Sequence, residues 1–255
     1  MCLAVLALRS LAGLPVLIAA NRDEFHARPT TAAAAWPGKP VIYAGRDLQA
    51  GGTWMGASAA GRYALVTNYR DPARLLPGAP SRGALVEAYL RGDEPPGAYL
   101  ARVHRDGERY NGFNLIVGDA DSAWYYGNRG AAPRELPAGV YALSNHLLDT
   151  PWPKLARTKA AFMRAVAHAP QPDLPALYAA LADRAPAPDD ELPETGVGLE
   201  RERMLSSPFI VSPVYGTRSS TILALHADGR GELHERRFDP RGEVAGEAAL
   251  RFDWA

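Results

Sequence analysis

The sequence predicts an α+β protein in which stacked β-sheets are flanked by helices. Two nearly continuous apolar runs of strand length, residues 3–8 and 14–20, stand at the start of the chain. Helical periodicity is concentrated in the middle, and strand-like segments resume after it and continue to the end. Strands at both ends, with about four helices grouped between them, suit sheets that are covered by helices.

Length bounds the number of domains, and charge argues against binding of nucleic acid. The chain has 255 residues and a mass of 27.4 kDa, so one layered domain is as plausible as two small ones. Its 28 basic and 28 acidic residues cancel, and it has no basic tract with interleaved aromatic residues. No uninterrupted apolar run reaches the roughly 18 residues of a membrane span. We therefore expect a small-molecule substrate or ligand, and the oligomeric state stays open.

Cys2 is the single cysteine of the chain. One cysteine excludes an internal disulfide framework and a thiolate-rich metal site and is typical of a reducing compartment, so we expect a cytoplasmic protein. The apolar start of the chain also suggests a secretory signal. Against that alternative, no positive charge precedes the apolar run, Arg9 interrupts it, and a charged Asn-Arg-Asp-Glu cluster at residues 21–24 follows at once.

The first part of the chain consists mainly of strand patterns. Residues 2–9 and 15–21 are predicted strands, and both are apolar enough to be buried on both faces. Residues 27–40 are predicted to be a loop, because Arg28-Pro29 disfavours a helix there. Two more strands are predicted at residues 51–56 and 62–68.

The middle of the chain changes to a helical period. Ser81 and Asp173 are the predicted N-caps of the first and last helices, and Thr150 with Pro151 is predicted to cap the third. That third helix has the clearest apolar stripe. The predicted helices span residues 83–91, 96–105, 153–168 and 174–183.

Strand patterns also occur between the helices and dominate the C-terminal part. The Asp-Gly-Arg-Gly sequence at residues 228–231 separates two alternating segments and is a strong hairpin signal. Residues 185–198, rich in Pro, Asp and Glu, are predicted to form a surface loop. The predicted strands are residues 112–118, 123–127, 140–144, 219–226, 232–238 and 248–254.

Six motifs in order give the chain a family resemblance. They are Met1-Cys2, Ala20-Asn21-Arg22-Asp23-Glu24-Phe25, Gly51-Gly52-Thr53-Trp54, Thr67-Asn68-Tyr69-Arg70, the segment 144–154 that starts Ser144-Asn145-His146, and Gly216-Thr217-Arg218. From end to end the chain closely resembles the NRDE family, the transport-and-Golgi-organisation protein two family. This resemblance implies a single domain over residues 1–255, a four-layer αββα sandwich of the N-terminal nucleophile hydrolase type with two stacked, mainly antiparallel sheets. More distantly, the layout is similar to the bile-salt and penicillin V acylases.

The residues around Cys2 suggest nucleophilic chemistry. Removal of Met1 would leave Cys2 with both a thiol and a free α-amino group. An α-amine with a pKa of roughly 7.7 to 8.0 can accept the thiol proton near neutral pH without a histidine. A guanidinium nearby favours the thiolate. We therefore predict that Cys2 attacks a carbonyl carbon while Arg22 and Asp23 orient its amine and thiol.

The resemblance supplies further site residues. By similarity to the acylases, Asn68 and Asn145 are candidates for stabilising the oxyanion, and Arg218 lies in a position similar to a later catalytic arginine. The predicted substrate-binding residues are Asn21, Glu24, Trp54, Tyr69, Arg70 and His146.

Each of these groups also has a structural interpretation. Residues 21–24 could form a polar turn with an internal ion pair, and the two candidate oxyanion asparagines could satisfy turn backbones. Arg218 could pair with a structural carboxylate, and Trp54 could be core or pocket wall. A thiol–imidazole pair of Cys2 with His26 or His146 is the remaining catalytic alternative.

Two functional hypotheses follow. The first is an N-terminal-cysteine amidohydrolase that cleaves a non-peptide amide or a thioester, for which we predict neither a cofactor nor a metal. The six histidines show no His-Glu-x-x-His spacing. The second is a non-catalytic carrier of haem, acyl-CoA or lipid in the same pocket, since the family that the chain resembles is associated with haem trafficking and lipid metabolism. Whether Met1 is removed, and which substrate binds, stay open.

Overall fold

Two antiparallel sheets form the centre of the protein in the computed structural model, which describes residues 2–167 and 171–254. The strands are β1 (Cys2–Leu11), β2 (Leu14–Phe25), β3 (Thr30–Trp36), β4 (Ile42–Asp47), β5 (Met55–Ser58), β6 (Arg62–Asn68), β7 (Phe113–Gly118), β8 (Ala123–Gly127), β9 (Arg134–Glu135), β10 (Gly139–Leu143), β11 (Tyr215–Leu225), β12 (Arg230–Phe238) and β13 (Val244–Asp253). One sheet has the order β10-β1-β2-β11-β12-β13, and the other runs from β3 to β9 in sequence order.

Helices cover the outer faces of both sheets. Within the described residues they are α1 (Gly83–Arg91), α2 (Pro96–Arg105), α3 (Pro153–Val166), α4 (Leu174–Leu181) and α5 (Leu199–Leu205). One apolar cluster lies between the sheets, a second joins the β3–β9 sheet to α1 and α2, and a third joins the other sheet to α3 and α4. The protein is therefore an α+β, four-layer αββα sandwich.

The apolar run of β1 is explained by burial of both its faces. Ala4 and Leu6 belong to the cluster between the sheets, whereas Leu3 and Val5 belong to the cluster under α3 and α4. Side chains alternate along a strand, so Cys2 shares the inter-sheet face with Ala4 and Leu6. The continuous pattern thus places the single thiol at the end of the inter-sheet layer.

The segment 27–40 differs from its prediction as a loop, because it contains β3. Its alanines have a low strand propensity, which hid the strand in the sequence. The strand forms by pairing with β4, and the backbone N–H of Ala33 donates to Glu235 Oε1 at 2.9 Å. Tertiary partners have therefore overridden the local preference.

The predicted strand at residues 51–56 begins only at Met55. Gly51 and Gly52 have φ values of +70° and +72°, in the left-handed region that favours glycine. A Cβ on Gly52 would lie 2.4 Å from the carbonyl oxygen of Gly83 at the start of α1. These glycines let a loop approach the helix closely, and they do not extend the strand.

Helix ends differ from the sequence predictions in three places. The N-cap of α1 is Arg82, not Ser81; α3 begins at Pro153 as predicted, but its N-cap is Trp152, not Thr150; and α4 ends at Leu181, not at Asp183. The predicted end of α3 at His168 lies outside the described residues. By contrast, the Asp173 cap is confirmed, since its carboxylate accepts from the N–H of Ala176 at 3.1 Å.

The short helix α5 was not predicted from the sequence, in which this region indicated only a loop and then strand material. Its N-cap, Gly198, has a positive φ of +87° and no side chain that could signal a helix start. Among residues 2–167 and 171–254, no helix combines the length and the apolar character that crossing a membrane requires.

Candidate functional site

The Asn-Arg-Asp-Glu segment lies within β2, which continues to Phe25, and it does not form the polar turn considered from sequence. Arg22 is directly opposite Cys2 in the β1–β2 pair, and β11 pairs Thr217 with Asp23 on the other side. Because side chains alternate, Arg22 shares the face of Cys2, and Asp23 lies on the face that the helices cover. The strand register thus sorts the two charged neighbours of the thiol onto opposite faces.

A cavity of about 310 Å³ opens beside Cys2. This volume falls within the roughly 300–1,000 Å³ typical of small-molecule sites. Among the described residues, the predicted site side chains in its lining are Cys2, Arg22, Asp23, Glu24, Trp54 and Asn68. The predicted site residues outside that lining are Asn21, Tyr69, Arg70, Asn145, His146 and Arg218.

Arg22 is held firmly in the cavity wall. Its side chain is only 5% exposed, its guanidinium lies 4.4 Å from the centre of the Trp54 ring, and its Nη2 is 3.8 Å from Asp47 Oδ2. Trp54 is therefore part of the pocket wall, as one sequence interpretation held. Arg22 Nη1 is buried and has no hydrogen-bond partner in the described part of the chain.

The charges around Cys2 act on its thiol in opposite directions. Burial raises the pKa of the Cys2 thiol, and the nearby Asp23 carboxylate raises it further. The guanidinium of Arg22 and a backbone hydrogen bond from Asp23 lower the pKa. Since burial disfavours the charged form of a thiol, the thiolate depends on positive charge at this end of β1 and β2.

Asp23 and Lys154 form the charged centre behind the thiol. Burial raises the pKa of Asp23, and the charge of Lys154 and a 2.7 Å hydrogen bond from Thr217 Oγ1 lower it. The Lys154 side chain is 2% exposed, and burial together with the neighbouring charge of Arg70 lowers its pKa to about 8. An amine with that pKa is partly neutral near neutral pH.

Arg70 belongs to this buried layer and not to the cavity. Its Nη1 donates to Glu202 Oε2 of α5 at 2.5 Å, and both side chains are almost fully buried. The guanidinium also lies 4.9 Å from the centre of the Trp152 ring. Thr195 completes the arrangement, because its N–H and hydroxyl both donate to Glu202 Oε1.

Asn68 and Asn145 meet beside the nucleophile. Asn145 Nδ2 donates to the carbonyl of Asn68 at 3.1 Å, and the carbonyl of Asn145 accepts from the N–H of Arg70 at 2.7 Å. The hydroxyl of Ser144 donates to the carbonyl of Cys2 at 3.0 Å. These bonds fasten the end of β6 and the segment after β10 to the start of β1. Asn68 lines the cavity, whereas Asn145 is fully buried.

Asn21 and Arg218 hold backbone segments in place. Asn21 Nδ2 donates to the carbonyls of Leu181 and Pro208, each at 2.9 Å, and its Oδ1 accepts from the hydroxyl of Ser220. Arg218 occupies a bulge of β11 and donates from Nη1 to three carbonyls, that of the last residue of β2 and those of residues 26 and 28 just after it. Carbonyls therefore take the place of the carboxylate partner that the sequence suggested for Arg218.

Tyr69 and His146 pack against each other away from the cavity. Their ring centres are 4.9 Å apart, and His146 Nδ1 lies 2.9 Å from Thr150 Oγ1. The other imidazole considered for Cys2, that of His26, lies 2.9 Å from the carbonyl of Ser212. Within the described residues, neither imidazole forms a hydrogen bond with Cys2.

Several charged residues of the site were missed from sequence. Arg28, Asp47 and Arg82 line the cavity, and Lys154 and Glu202 lie in the layer behind Cys2. Lys154 belongs to one of the quoted motifs, but its sequence context indicated no role, because a lysine in the first turn of a helix is ordinarily exposed. No group of three or more His, Cys, Asp or Glu side chains in the described ranges is arranged to hold a metal ion.

Sequence comparisons relate this chain to one protein family. A family model described as Transport and Golgi organisation 2 matches residues 1–240. The human Transport and Golgi organization protein 2 homolog is 40% identical over 238 residues, covering 87% of this chain and 86% of the relative. The Drosophila melanogaster Transport and Golgi organization protein 2 is 28% identical over 260 residues, covering 91% and 90%.

Solved structures with a similar fold include the C2A mutant of the conjugated bile acid hydrolase from Clostridium perfringens. Its TM-score is 0.54 at 8% sequence identity, covering 98% of this chain and 92% of that chain. At this identity the likeness concerns the fold alone. It confirms the N-terminal nucleophile hydrolase architecture that the sequence resemblance implies.

Proposed function

The chain belongs to the Transport and Golgi organisation 2 family, and we propose that it is an N-terminal-cysteine amidohydrolase that cleaves a non-peptide amide or a thioester. The observation that carries the proposal is the position of Cys2, opposite Arg22 in the strand register and in the wall of a cavity of ligand size. After removal of Met1, the same residue carries the nucleophile and its base.

The reaction starts with proton transfer inside Cys2. The α-amine takes the thiol proton, and the sulfur attacks the substrate carbonyl carbon to form a tetrahedral oxyanion. The C–N or C–S bond then breaks, and the ammonium returns the proton to the leaving amine or thiol. Water, deprotonated by the same amine, hydrolyses the resulting thioester and releases the acid and free Cys2.

The surroundings of Cys2 support this chemistry. Burial makes the thiolate costly, and the positive charge of Arg22 offsets part of that cost. Asp23 lies where its carboxylate can hold an ammonium group, on the strand next to β1. Asn68 lines the cavity and is the better placed of the two oxyanion candidates, since the amide N–H group of Asn145 already donates to the Asn68 carbonyl. One such donor typically contributes about 2.7–4 kcal/mol to the transition state.

The relatives add support of a different kind. The similar bile acid hydrolase was solved as a C2A mutant, so the natural form of that protein also has a cysteine at position 2. Its name describes hydrolysis of a conjugated acid. A shared fold does not establish a shared reaction, so the role of Cys2 needs a direct chemical test.

The test is mass spectrometry of the native protein, alone and with acyl compounds. We expect the intact mass to lack Met1 and expect an acyl adduct on Cys2 when amide or thioester substrates are added. Arg22→Ala should slow alkylation of Cys2 by iodoacetamide at pH 7, because loss of the guanidinium raises the pKa of the thiol and leaves less thiolate. Arg109→Ala, at a side chain that is 71% exposed, is the matched control and should react like the wild type.

Two results would contradict the proposal. Retention of Met1 in the native protein would deny Cys2 its amine. Equal hydrolysis by the wild type and the Cys2→Ala variant would remove the nucleophile from the reaction. A protein that binds haem or an acyl compound saturably, without adduct or turnover, would instead fit the carrier hypothesis.

A further inference from the structure

Arg82 places a positive charge in the wall of the cavity without a carboxylate in direct contact among the described residues. Arg28, the neighbouring cation, has two carboxylate partners, with its Nε 2.7 Å from Asp47 Oδ2 and 3.8 Å from Glu24 Oε2. Arg82 has no ion pair in residues 2–167 and 171–254, and the hydrogen bond of its guanidinium runs from Nη1 to the carbonyl of Gly112 at 3.1 Å. Burial lowers the pKa of Arg82, so holding this cation in the wall has a cost.

The acidic residues of the cavity form their hydrogen bonds with groups other than Arg82, although the charge of Glu24 acts on Arg82 and raises its pKa. Glu24 Oε1 accepts from the N–H of Phe25 at 2.9 Å. Asp47 Oδ1 accepts from two backbone N–H groups, and Asp47 Oδ2 accepts from Arg28 Nε at 2.7 Å. The guanidinium of Arg82 can therefore form an ion pair with a ligand in the cavity.

The N-terminus of α1 lies at the same wall. This helix has nine residues, Arg82 is its N-cap, and no side chain caps its first turn. Ser81, Arg82 and Gly83 all line the cavity. The N–H groups of Ala84 and Leu85 already donate to the carbonyls of Ser81 and Arg82, so the attraction for an anion at this wall comes from the helix dipole.

Arg22 provides an independent indication of a ligand. Its side chain is 5% exposed and lines the same cavity, yet its Nη1 has no hydrogen-bond partner among the described residues. A buried charged donor without an acceptor is costly unless a ligand supplies one. Two arginines from different elements therefore line one small space.

We propose that Arg82 and the first turn of α1 form an anion subsite, so that the substrate of Cys2 is an acyl compound that carries a carboxylate or a similar small anionic group. This inference rests on the proposed hydrolase function. The anionic group can lie on the leaving amine or on the acyl chain, and both place a charged atom away from the scissile carbonyl.

Matched substrate pairs test the subsite in the mature protein. Octanoylglycine against octanoylglycinamide tests an anion on the leaving group, and the monoamide of octanedioic acid against octanamide tests one on the acyl chain. We expect kcat/KM to favour the anionic member of one pair at least about tenfold, because a hydrogen bond between a guanidinium and a carboxylate is stronger than one between neutral groups. Arg82→Gln should abolish this preference, Arg82→Lys should retain part of it, and Arg109→Ala should leave it unchanged.

A binding experiment separates this inference from the hydrolase proposal. The Cys2→Ala variant is titrated calorimetrically with octanoylglycine and octanoylglycinamide, with and without Arg82→Gln. Suppose that the mature wild-type protein turns over no compound, but the Cys2→Ala variant binds octanoylglycine at least about tenfold more tightly than octanoylglycinamide and loses this preference with Arg82→Gln. The hydrolase proposal then fails and the anion subsite stands.

The opposite pattern overturns the subsite alone. Turnover with the same anionic-to-neutral ratio in the wild type and in a folded Arg82→Gln variant removes Arg82 from recognition. If that variant does not fold, the wild-type protein decides, because equal kcat/KM and equal affinity for both members of each pair contradict the proposal.

Discussion

The two sides of Cys2 hold their charges in different ways. On the side that the helices cover, Asp23, Lys154 and the Arg70–Glu202 ion pair are almost fully buried. On the cavity side, Arg22 is buried as well, but three charged side chains are half-buried and border an opening: Arg28, Asp47 and Arg82.

This difference separates stability from recognition. A buried charge that loses its partner costs about 3–5 kcal/mol, whereas a solvent-accessible pair typically contributes about 0–1 kcal/mol. The buried layer therefore fixes the electrostatic environment behind Cys2, and loss of one of its charged partners should lower the free energy of unfolding strongly. The charges of the cavity can change partners, which a binding wall requires. Substitutions on the two sides should accordingly differ in their effect on unfolding.

The largest effect is expected for Glu202→Gln in the buried layer. The amide keeps the size of the side chain but leaves the guanidinium of Arg70 buried without its counter-charge. We expect the free energy of unfolding to fall by about 3–5 kcal/mol, measured by urea denaturation at pH 7.

A second variant identifies the cause of this loss. Adding Arg70→Met to Glu202→Gln removes the unpaired charge and should recover most of the lost stability. Arg203→Gln serves as the control. Arg203 lies on the same helix, α5, and forms an exposed ion pair with Asp189, so its substitution should change the free energy of unfolding little. If Glu202→Gln is as mild as this control, the buried layer is not the stabilising side of the site.

The sequence predicted those parts of the fold that depend on local patterns. The bounds of β6, α1 and α2 agree with the predictions, because regular periodicity and proline at a helix start are local signals. The N-terminal apolar runs correctly indicated strands buried on both faces. Cys2, Arg22 and Asp23 were also brought together correctly, since consecutive strands of a hairpin place their ends side by side.

The remaining features depend on contacts that local patterns do not encode. Strand β3 is held by pairing and by Glu235, which is 202 residues from Ala33 in the chain. Glu202 reaches Arg70 only because α5 packs behind the site, and no motif marked that helix. Arg82 looked like a residue preceding a helix until the Gly52–Gly83 approach placed it in the cavity wall.

The next largest effect concerns the pH dependence that Lys154 contributes. The pKa of Lys154 is about 8 in the folded protein against 10.5 for the ordinary side chain. Between these values the unfolded chain binds more protons, so this residue makes stability rise with pH. Its destabilising contribution is complete below pH 8, disappears by about pH 10.5, and amounts to about 3 kcal/mol.

Lys154→Met tests this dependence by removing the titrating group at similar size. We expect the stability of the wild type relative to the variant to increase by about 3 kcal/mol from pH 7.5 to 10.5 in parallel urea denaturation series. Lys159→Met, a more exposed position of the same helix, should retain the wild-type profile. If the stability difference between the wild type and Lys154→Met does not change with pH, burial does not lower the pKa of this amine.

The smallest effect on stability is expected on the cavity side, for Arg28→Ala. Its side chain is 25% exposed and that of Asp47 is 14% exposed, so solvent screens their 2.7 Å ion pair. The free energy of unfolding should fall by no more than about 1 kcal/mol in urea denaturation at pH 7. The freed Asp47 carboxylate still accepts from the backbone N–H groups of Gln49 and Ala50, which limits the loss. A loss as large as that of Glu202→Gln would abolish the distinction between the two sides, because the cavity wall would then also depend on fixed charge pairs and could not exchange one for a ligand.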